Sequence, residues 1–427
     1  MEARAAKGFT LPEFSYPLIV ESAQNVRKGK PFTKNGLSPI YKDFKTKLDK
    51  LDTDKATKDR LLTELVAALK DDADRGYREF EKRSAAIGSG VHGNYGVAKF
   101  SNGEAYYNEL LRNYTTTSMT AEEVHALGLA EVARIHGEMK AIMRQVGYDG
   151  TLAEFFDFMR TDKQFYKPNT DKGRAEYLEL ARSYIGNIEP RLDDLFITKP
   201  KAPVVVRRVE PFRERASGKA FYNQPAPDGS RPGTFYANLK DMADMPIYQL
   251  EALVYHEAIP GHHMQRAIQI ETTGLPKYRQ FGGYTAYTEG WGLYSEYLGK
   301  DLGFYEDPYS DFGRLAMELW RAARLVVDTG LHAEGWEMQK AIDYLTTNTP
   351  NPEGDCRNAI ERYIVYPGQA TAYKIGMNKI LDLRRNAEAS LGDKFSIREF
   401  HETVLISGPV PLEVLEGRIA DWVASKR

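Results

Sequence analysis

The 427-residue chain has a single cysteine, Cys356. That excludes an intramolecular disulfide framework and any CxxC metal site, although one cysteine does not fix the compartment. No apolar run approaches the ~18 residues needed to span a membrane, so no transmembrane segment is expected. The opening MEARAAKGFTLPEF has no apolar stretch of the kind that drives secretion, so it does not read as a signal peptide. An excess of either charge is also missing. The 58 basic and 60 acidic residues leave a formal net charge of −2, which gives no electrostatic support to a polyanion partner, and nucleic acid is not expected. There is no internal repeat, no low-complexity tract and no GxSxG elbow, and Cys356 lies in PEGDCRNAIERY without a catalytic-cysteine context. It reads as structural, and no covalent intermediate is expected. What is present is an ordinary globular composition, 42% hydrophobic and 28% charged, in a chain long enough to bury a large core.

Hydrophobic spacing organises the chain. Pro12, Pro17, Pro31 and Pro39 punctuate residues 1–45, which read as an irregular arm with room for one short helix. Helical periodicity runs from Ile40 to about Arg83. Gly88, Gly90, Gly93 and Gly96 then mark a loop; without a GK[ST] ending or a preceding apolar strand it does not read as a phosphate cradle. Two long helices are expected within 101–145, the second capped by Thr120 with Glu123 three residues on and ended by Gly147. Further helices follow Thr151 and Asn169. After Pro200 the texture shifts to Val, Tyr, Phe, Pro and Gly, which predicts a few strands, and helical texture returns from Ile247. The expected fold is mainly α, with a small inserted antiparallel sheet near 203–240. Residues 46–200 form its helical N-terminal part, and 201–427 form a part carrying the sheet and the chemistry, continuous with the first.

The chemistry concentrates in LEALVYHEAIPGHHMQRAI, residues 250–268. Three of the eight histidines, His256, His262 and His263, fall here beside Glu257. A metal site explains that grouping better than core packing does; the alternative is a helix that simply ends at Pro260-Gly261 with solvated histidines. In the common HExxH arrangement two histidines one helical turn apart reach one ion, and the intervening glutamate serves as general base. The spacing here is longer. On a straight helix His262 lies about 120° round from His256, and His263, nearly in line, lies about 10.5 Å further along the axis. Pro260 cannot donate to the carbonyl four residues back, and Gly261 accepts unusual backbone angles. The helix must bulge or break there, which lets His262 return beside His256 and leaves His263 to support the site from behind. Downstream, GGYTAYTEGWGLYSEYLG carries Glu289 and Glu296 seven residues apart on one helical face. An unpaired carboxylate on so apolar a helix is costly, and a cation removes the cost. Glu289, nearer to the histidines and opening the small-residue EGWG stretch, is the expected third ligand. Glu296 is the candidate to orient a histidine, the alternative being an exposed helix residue.

HEAIPGHHMQ followed by YTEGWGLYSEYL resembles the bacterial family called domain of unknown function 885, from about residue 60 to the C-terminus. That family in turn resembles zinc-dependent peptidases of the carboxypeptidase Taq and angiotensin-converting-enzyme type. The resemblance implies a large helical zinc-peptidase-like fold with a deep cleft, His262 rather than His263 as ligand, and Glu289 as the glutamate of an EGW motif. It also implies that His332, in ELWRAARLVVDTGLHAEGW, stands at the cleft and donates to a developing oxyanion, and that Tyr373, in RYIVYPGQATAYKIG, does the same as a phenol donor. Members are usually longer at the N-terminus, often with a secretion or lipoprotein signal. The implied precursor is exported to the periplasm or lipid-anchored, with the cytoplasm as the alternative.

Other residues complete the expectation. Arg321, Arg324 and Asp328 share a helical face, with an Arg324–Asp328 salt bridge expected and Asp328 placed behind the site. Residues 232–239, PGTFYANL, are expected to form an edge strand pairing with an extended peptide, with Tyr236 and Asn238 facing it; the alternative is an ordinary hairpin strand. Arg321, Lys374 and Arg362 are available to receive a substrate carboxylate. The expected activity is zinc-dependent hydrolysis of short peptides, with zinc on His256, His262 and Glu289 and with Glu257 as base. Manganese, cobalt and nickel suit the same donors. The alternatives are hydrolysis of a non-peptide amide and a catalytically inactive peptide-binding role. The number of subunits is left open, a dimer included.

Overall fold

The computed structural model describes residues 1–93, 95–211, 213–214 and 217–427. The glycine-rich stretch and the inserted sheet segment each contain positions outside that set. The chain divides into two compact units, Met1–Tyr95 and Gly96–Arg427. The first is helical: Ser15–Val26, Pro39–Lys50, Lys55–Ala68 and Asp74–Gly88, the last two joined through a π-turn at Leu69–Ala73. The arm carries one twelve-residue helix, Ser15–Val26, while Pro39–Lys50 matches the helical periodicity expected from Ile40. Pro17 and Pro39 sit in the first turns of these helices, Pro39 at the first position behind the Ser38 cap, and Pro12 and Pro31 lie outside helices.

The second unit holds all the chemistry-bearing residues. Its site-building helices are α1 (Ala121–Gln145), α2 (Asp171–Ile188), α3 (Leu250–Glu257), α4 (His262–Glu271), α5 (Thr285–Asp301), α6 (Pro308–His332), α7 (Glu353–Val365) and α8 (Ala372–Leu391). The protein is 68% helix, so the expected mainly-α class holds. The Thr120–Glu123 capping box closes α1 as its sequence predicts. A large core cluster encloses Tyr287, Trp291 and Tyr294 of α5, which are fully buried.

The inserted sheet has three strands, β1 (Val204–Arg208), β2 (Ala220–Asn223) and β3 (Gly233–Ala237), in the order β1-β3-β2. It is mixed rather than antiparallel: β1 runs parallel to β3, and β2 runs antiparallel to it. The expected edge strand is the central one. Burial explains the exchange: four of the five residues of β3 are buried, whereas β2 is half-buried and ends exposed. The strand that excludes water on both faces takes the middle.

An ion cluster ties α1, α6 and α8 together. The Lys374 ammonium on α8 donates to Glu318 on α6 at 2.6 Å and lies 2.9 Å from Glu131 on α1. Arg134 reaches both carboxylates, and Arg314 approaches Glu318 at 3.5 Å. Burial pushes the Glu318 carboxyl up, yet Lys374, Arg134 and Arg314 hold it down to about 2. Lys374 was expected to bind substrate. It is 1% exposed and fully engaged in this cluster, so it is structural. Removing one partner of such a cluster leaves buried charge uncompensated, at about 3–5 kcal/mol. Lys374→Met is thus expected to lower unfolding free energy by that order, read by chemical denaturation; a loss under 1 kcal/mol would contradict the bracing role.

Candidate metal centre

α3 ends at Glu257 and α4 begins at His262, so the helix breaks within the four residues Ala258–Gly261. The Gly261 position is sterically closed to any side chain: a Cβ there would lie 2.0 Å from the His256 carbonyl oxygen. The chain turns through this gap, and the His263 amide bonds back to the Ala258 carbonyl at 3.0 Å. The Trp291 indole donates to the Pro260 carbonyl at 2.9 Å, fixing the turn to α5. The His256 and His262 rings then stand 4.6 Å apart at 83° to each other.

Glu289 completes a triad. Its Oε2 lies 3.6 Å from His256 Nε2 and 3.5 Å from His262 Nε2, and all three ligand atoms fall within 4.8 Å of one another. Ligands at 2.0–2.1 Å from a tetrahedral zinc stand roughly 3.3 Å apart, so the set is spaced for one such ion. It is also the one group of three or more metal-ligating side chains among the described residues. Glycines bring α5 this close. Gly292 packs on the His256 ring, and Gly290 meets Gly376 of α8 where a methyl group would lie 2.5 Å from backbone.

Behind the triad, Glu296 accepts from His256 Nδ1 at 2.7 Å and is 1% exposed. This fixes the tautomer that leaves His256 Nε2 facing Glu289. Burial opposes a charge on His256, yet Glu289 and Glu296 raise it to about 9. Burial likewise pushes Glu289 up, but the two histidines hold it well below the usual carboxylate range. Glu257 is buried, burial raises its carboxyl with His262 and His256 partly offsetting, and its Oε2 has no partner. Such an orphaned carboxylate oxygen beside two histidines is the mark expected of a group that waits for water or substrate. The donor set and this atom together fit a divalent ion such as Zn²⁺.

A cleft of about 810 Å³ opens over the triad, lined by Glu257, Arg321, Arg324, Tyr373 and the strand β2 among others. Arg321 and Tyr373 are where their sequence positions imply. His263 supports the site differently from expectation: it bonds to no ligand, but its Nε2 donates to the Ala202 carbonyl at 2.9 Å, so its Nδ1 accepts from the Tyr222 hydroxyl of β2 at 2.8 Å. It pins the cleft-lining strand to α4.

Four further expectations are overturned. His332 is fully buried, with Nδ1 accepting from the Val97 amide and Nε2 donating to the Tyr363 carbonyl. Both nitrogens are spent on backbone, so it is no oxyanion donor. Asp328 makes no salt bridge with Arg324; its Oδ1 accepts from the Tyr107 hydroxyl at 2.6 Å and the Gly368 amide at 2.9 Å, which anchors the loop leading to Tyr373. Asn238 spends its amide on the carbonyls of Glu214, Ser217 and Gly218. Tyr236 stacks on Phe221 at 5.0 Å under the Arg213 guanidinium. Neither faces the cleft, because the edge available there is β2. Arg324 and Tyr222 are the residues that motif reasoning missed. Arg324 had been assigned to a salt bridge, and Tyr222 carries no spacing signal.

The family model described as "Bacterial protein of unknown function (DUF885)" matches residues 1–419. The chain belongs to this family. Among solved structures, a Colwellia psychrerythraea protein described as a "putative lipoprotein" is similar at 36% identity and a TM-score of 0.93, over 99% of this chain and 72% of that one. A Shewanella oneidensis "putative lipoprotein of unknown function" shares the fold at 17% identity and a TM-score of 0.73, over 96% and 73% of the two chains. No curated protein matches.

Two outcomes follow. Glu296→Gln leaves the triad intact but weakens the acceptor on His256, and Zn²⁺ affinity, measured by chelator competition, should fall about 10–100-fold; unchanged affinity would remove Glu296 from the site. Asp328, pushed up to about 7 chiefly by burial, keeps its proton in the fold while the unfolded chain loses it near pH 4. Its contribution is full below about pH 4 and is lost as pH rises through 7. His263, His332 and His401, held by burial near 4, 4 and 3, act in the opposite sense. The readout is therefore the difference between the wild type and Asp328→Asn. The variant should gain relative stability, on the order of a few kcal/mol, between pH 4 and 8; parallel stability curves would refute the assignment.

Proposed function

We propose that this DUF885 protein is a zinc-dependent metallopeptidase acting on short peptides. The observation that carries the reading is the convergence of His256, His262 and Glu289 next to an unpartnered, buried Glu257 at the floor of a cleft. A structural site has no use for a base beside its first ligand, and it is normally closed by a fourth protein donor rather than open to a cleft. His256, His262 and Glu289 would hold the ion. When bound, Zn²⁺ supplies Lewis acidity, lowering the pKa of water and polarising a carbonyl.

The remaining work falls to the chain. The Glu257 carboxylate accepts the proton of the attacking water as the new C–O bond forms, then delivers it to the amide nitrogen as the C–N bond breaks. Its raised pKa, due chiefly to burial, brings it nearer the range where one group can both take and return a proton. Tyr373 lines the cleft with the Arg324 guanidinium over its ring at 4.7 Å. Burial and Glu289 raise the Tyr373 hydroxyl and the Arg324 cation only partly offsets them, so the hydroxyl keeps its proton and can donate it in a hydrogen bond to an oxyanion, the role that His332 cannot fill. The outer edge of β2 offers backbone groups to an extended peptide, antiparallel or parallel, as an added strand.

Protein purified without chelator is expected to carry about one zinc per chain and to cleave short peptides in a broad panel. Glu257→Gln should keep the metal and lose about 10²–10⁴-fold in kcat. A variant that lost the metal as well, or a loaded wild type that cleaved nothing, would overturn the reading.

A further inference from the structure

Three arginines line one wall of the cleft: Arg321 and Arg324 on α6, and Arg362 on α7. The first two stand one helical turn apart, on the α6 stripe that also presents Met317 and Trp320 to the cleft. None of the three forms an ion pair with any described residue, in a protein whose other arginines are commonly paired. Arg321 and Arg324 are half-buried, and the Nε atom of each is sealed from solvent without a hydrogen-bond partner. Arg321 donates once, to the Met317 carbonyl, leaving the rest of its fork free. The Arg324 guanidinium is fixed in place by the rings of Tyr373, Tyr363 and Trp320, at 4.7, 5.6 and 5.9 Å.

A half-buried guanidinium without a counter-ion loses part of its hydration with no opposite charge to offset the loss. Stacking on aromatic faces holds the plane but leaves the edge N–H groups unused, and those edges match the two oxygens of a carboxylate. The carboxylates of Glu257 and Glu289 are near enough to feel Arg321 and Arg324 respectively, yet neither lies within 4 Å of them. The counter-ion for this wall is therefore missing among the described residues. Lys374, the other cation once available for the task, is spent on Glu318 and Glu131.

We infer that Arg321, Arg324 and Arg362 form a receptor for a carboxylate of the substrate, which makes this a peptidase of peptides with a free anionic group close to the cut bond. The inference rests on the peptidase reading for the cutting, but not for the binding. The same chemistry could come from a peptide's C-terminus or from an acidic side chain, and the test separates them.

The test uses zinc-loaded full-length protein and three matched short peptides: a neutral sequence with a free C-terminus, the same sequence amidated, and an amidated sequence with one glutamate beside the scissile bond. The free acid should be cleaved with kcat/KM at least tenfold above the amide, and Arg324→Gln and Arg321→Gln should each collapse that ratio towards one. A rescue of cleavage by the glutamate peptide alone would assign the receptor to a side chain. Equal cleavage of all three would overturn the receptor and leave the peptidase standing. In parallel, titration calorimetry on zinc-loaded Glu257→Gln reads binding without turnover, so the receptor is tested even if no peptide is cut. Tenfold tighter binding of either carboxylate peptide than of the neutral amide, lost in Glu257→Gln/Arg324→Gln, supports the receptor; equal binding overturns it. If Arg324→Gln fails to fold, the more exposed Arg362→Gln carries the comparison, with a smaller expected drop of about threefold.

Discussion

The site depends on a steric constraint at Gly261. Its backbone passes so close to the His256 and Tyr255 carbonyls that no side chain fits. Without that approach the chain could not turn within four residues, and His262 would be displaced around the axis as on a continuous helix. Pro260 contributes in the opposite way, by removing a donor that would otherwise extend α3. The turn is then held from outside by the Trp291 indole on the Pro260 carbonyl. Because Trp291 is two residues from Glu289 on α5, one hydrogen bond relates the helix that brings the carboxylate to the break that brings the second histidine.

Close packing and charge burial carry the geometry outward. Gly290 and Gly376 let α5 and α8 meet backbone to backbone, and Gly292 makes room for the His256 ring. Few residue choices at these positions would leave Glu289 at 3.5–3.6 Å from both imidazoles. The Lys374 cluster fixes the other side of α8 to α1 and α6. Such clusters are a poor source of net stability, since desolvation offsets attraction. Their geometry is nonetheless demanding, and here it sets how α6 presents Arg321 and Arg324 to the cleft that Tyr373 also lines.

The sequence made the triad legible for a local reason. Histidine, glutamate, proline and glycine at fixed spacing state both the donors and the backbone break that joins them, and Glu289 and Glu296 follow from burying acids on an aromatic helix. The helices were legible through periodicity and caps such as Thr120 with Glu123. What was not legible depends on partners distant in sequence. His332 resembles a site histidine until Val97 and Tyr363 take both its nitrogens. Asp328 sits one turn from Arg324, but its partners come from Tyr107 and Gly368. The rank of β3 over β2 is decided by what packs on each face, which alternation within five residues does not encode. In the first ninety-five residues, Pro17 and Pro39, which read as breaks, stand in the first turns of helices, a distinction that needs the capping geometry to draw.

The unpaired arginines bear on how the cleft treats charge as a whole. A protein that tolerates buried guanidinium groups normally places carboxylates against them, as it does at Arg314 with Asp311 and Arg384 with Asp301. Along the α6 stripe the neighbours are instead Trp320, Tyr363 and Tyr373. Aromatic faces stabilise a cation by about 0.5–2 kcal/mol without neutralising it, so the positive field persists into the cleft. A divalent ion on His256, His262 and Glu289 would offset the charges of Glu257 and Glu289, leaving the arginine wall as the uncompensated charge of the cleft. In the proposed reading a neutral peptide gains little from such a field, whereas one ending in a carboxylate would be oriented by it before any contact forms. The direction of that orientation would place the peptide's charged end against α6 and α7 and the preceding amide over Glu257, a reading in which specificity and positioning come from the same pair of helices.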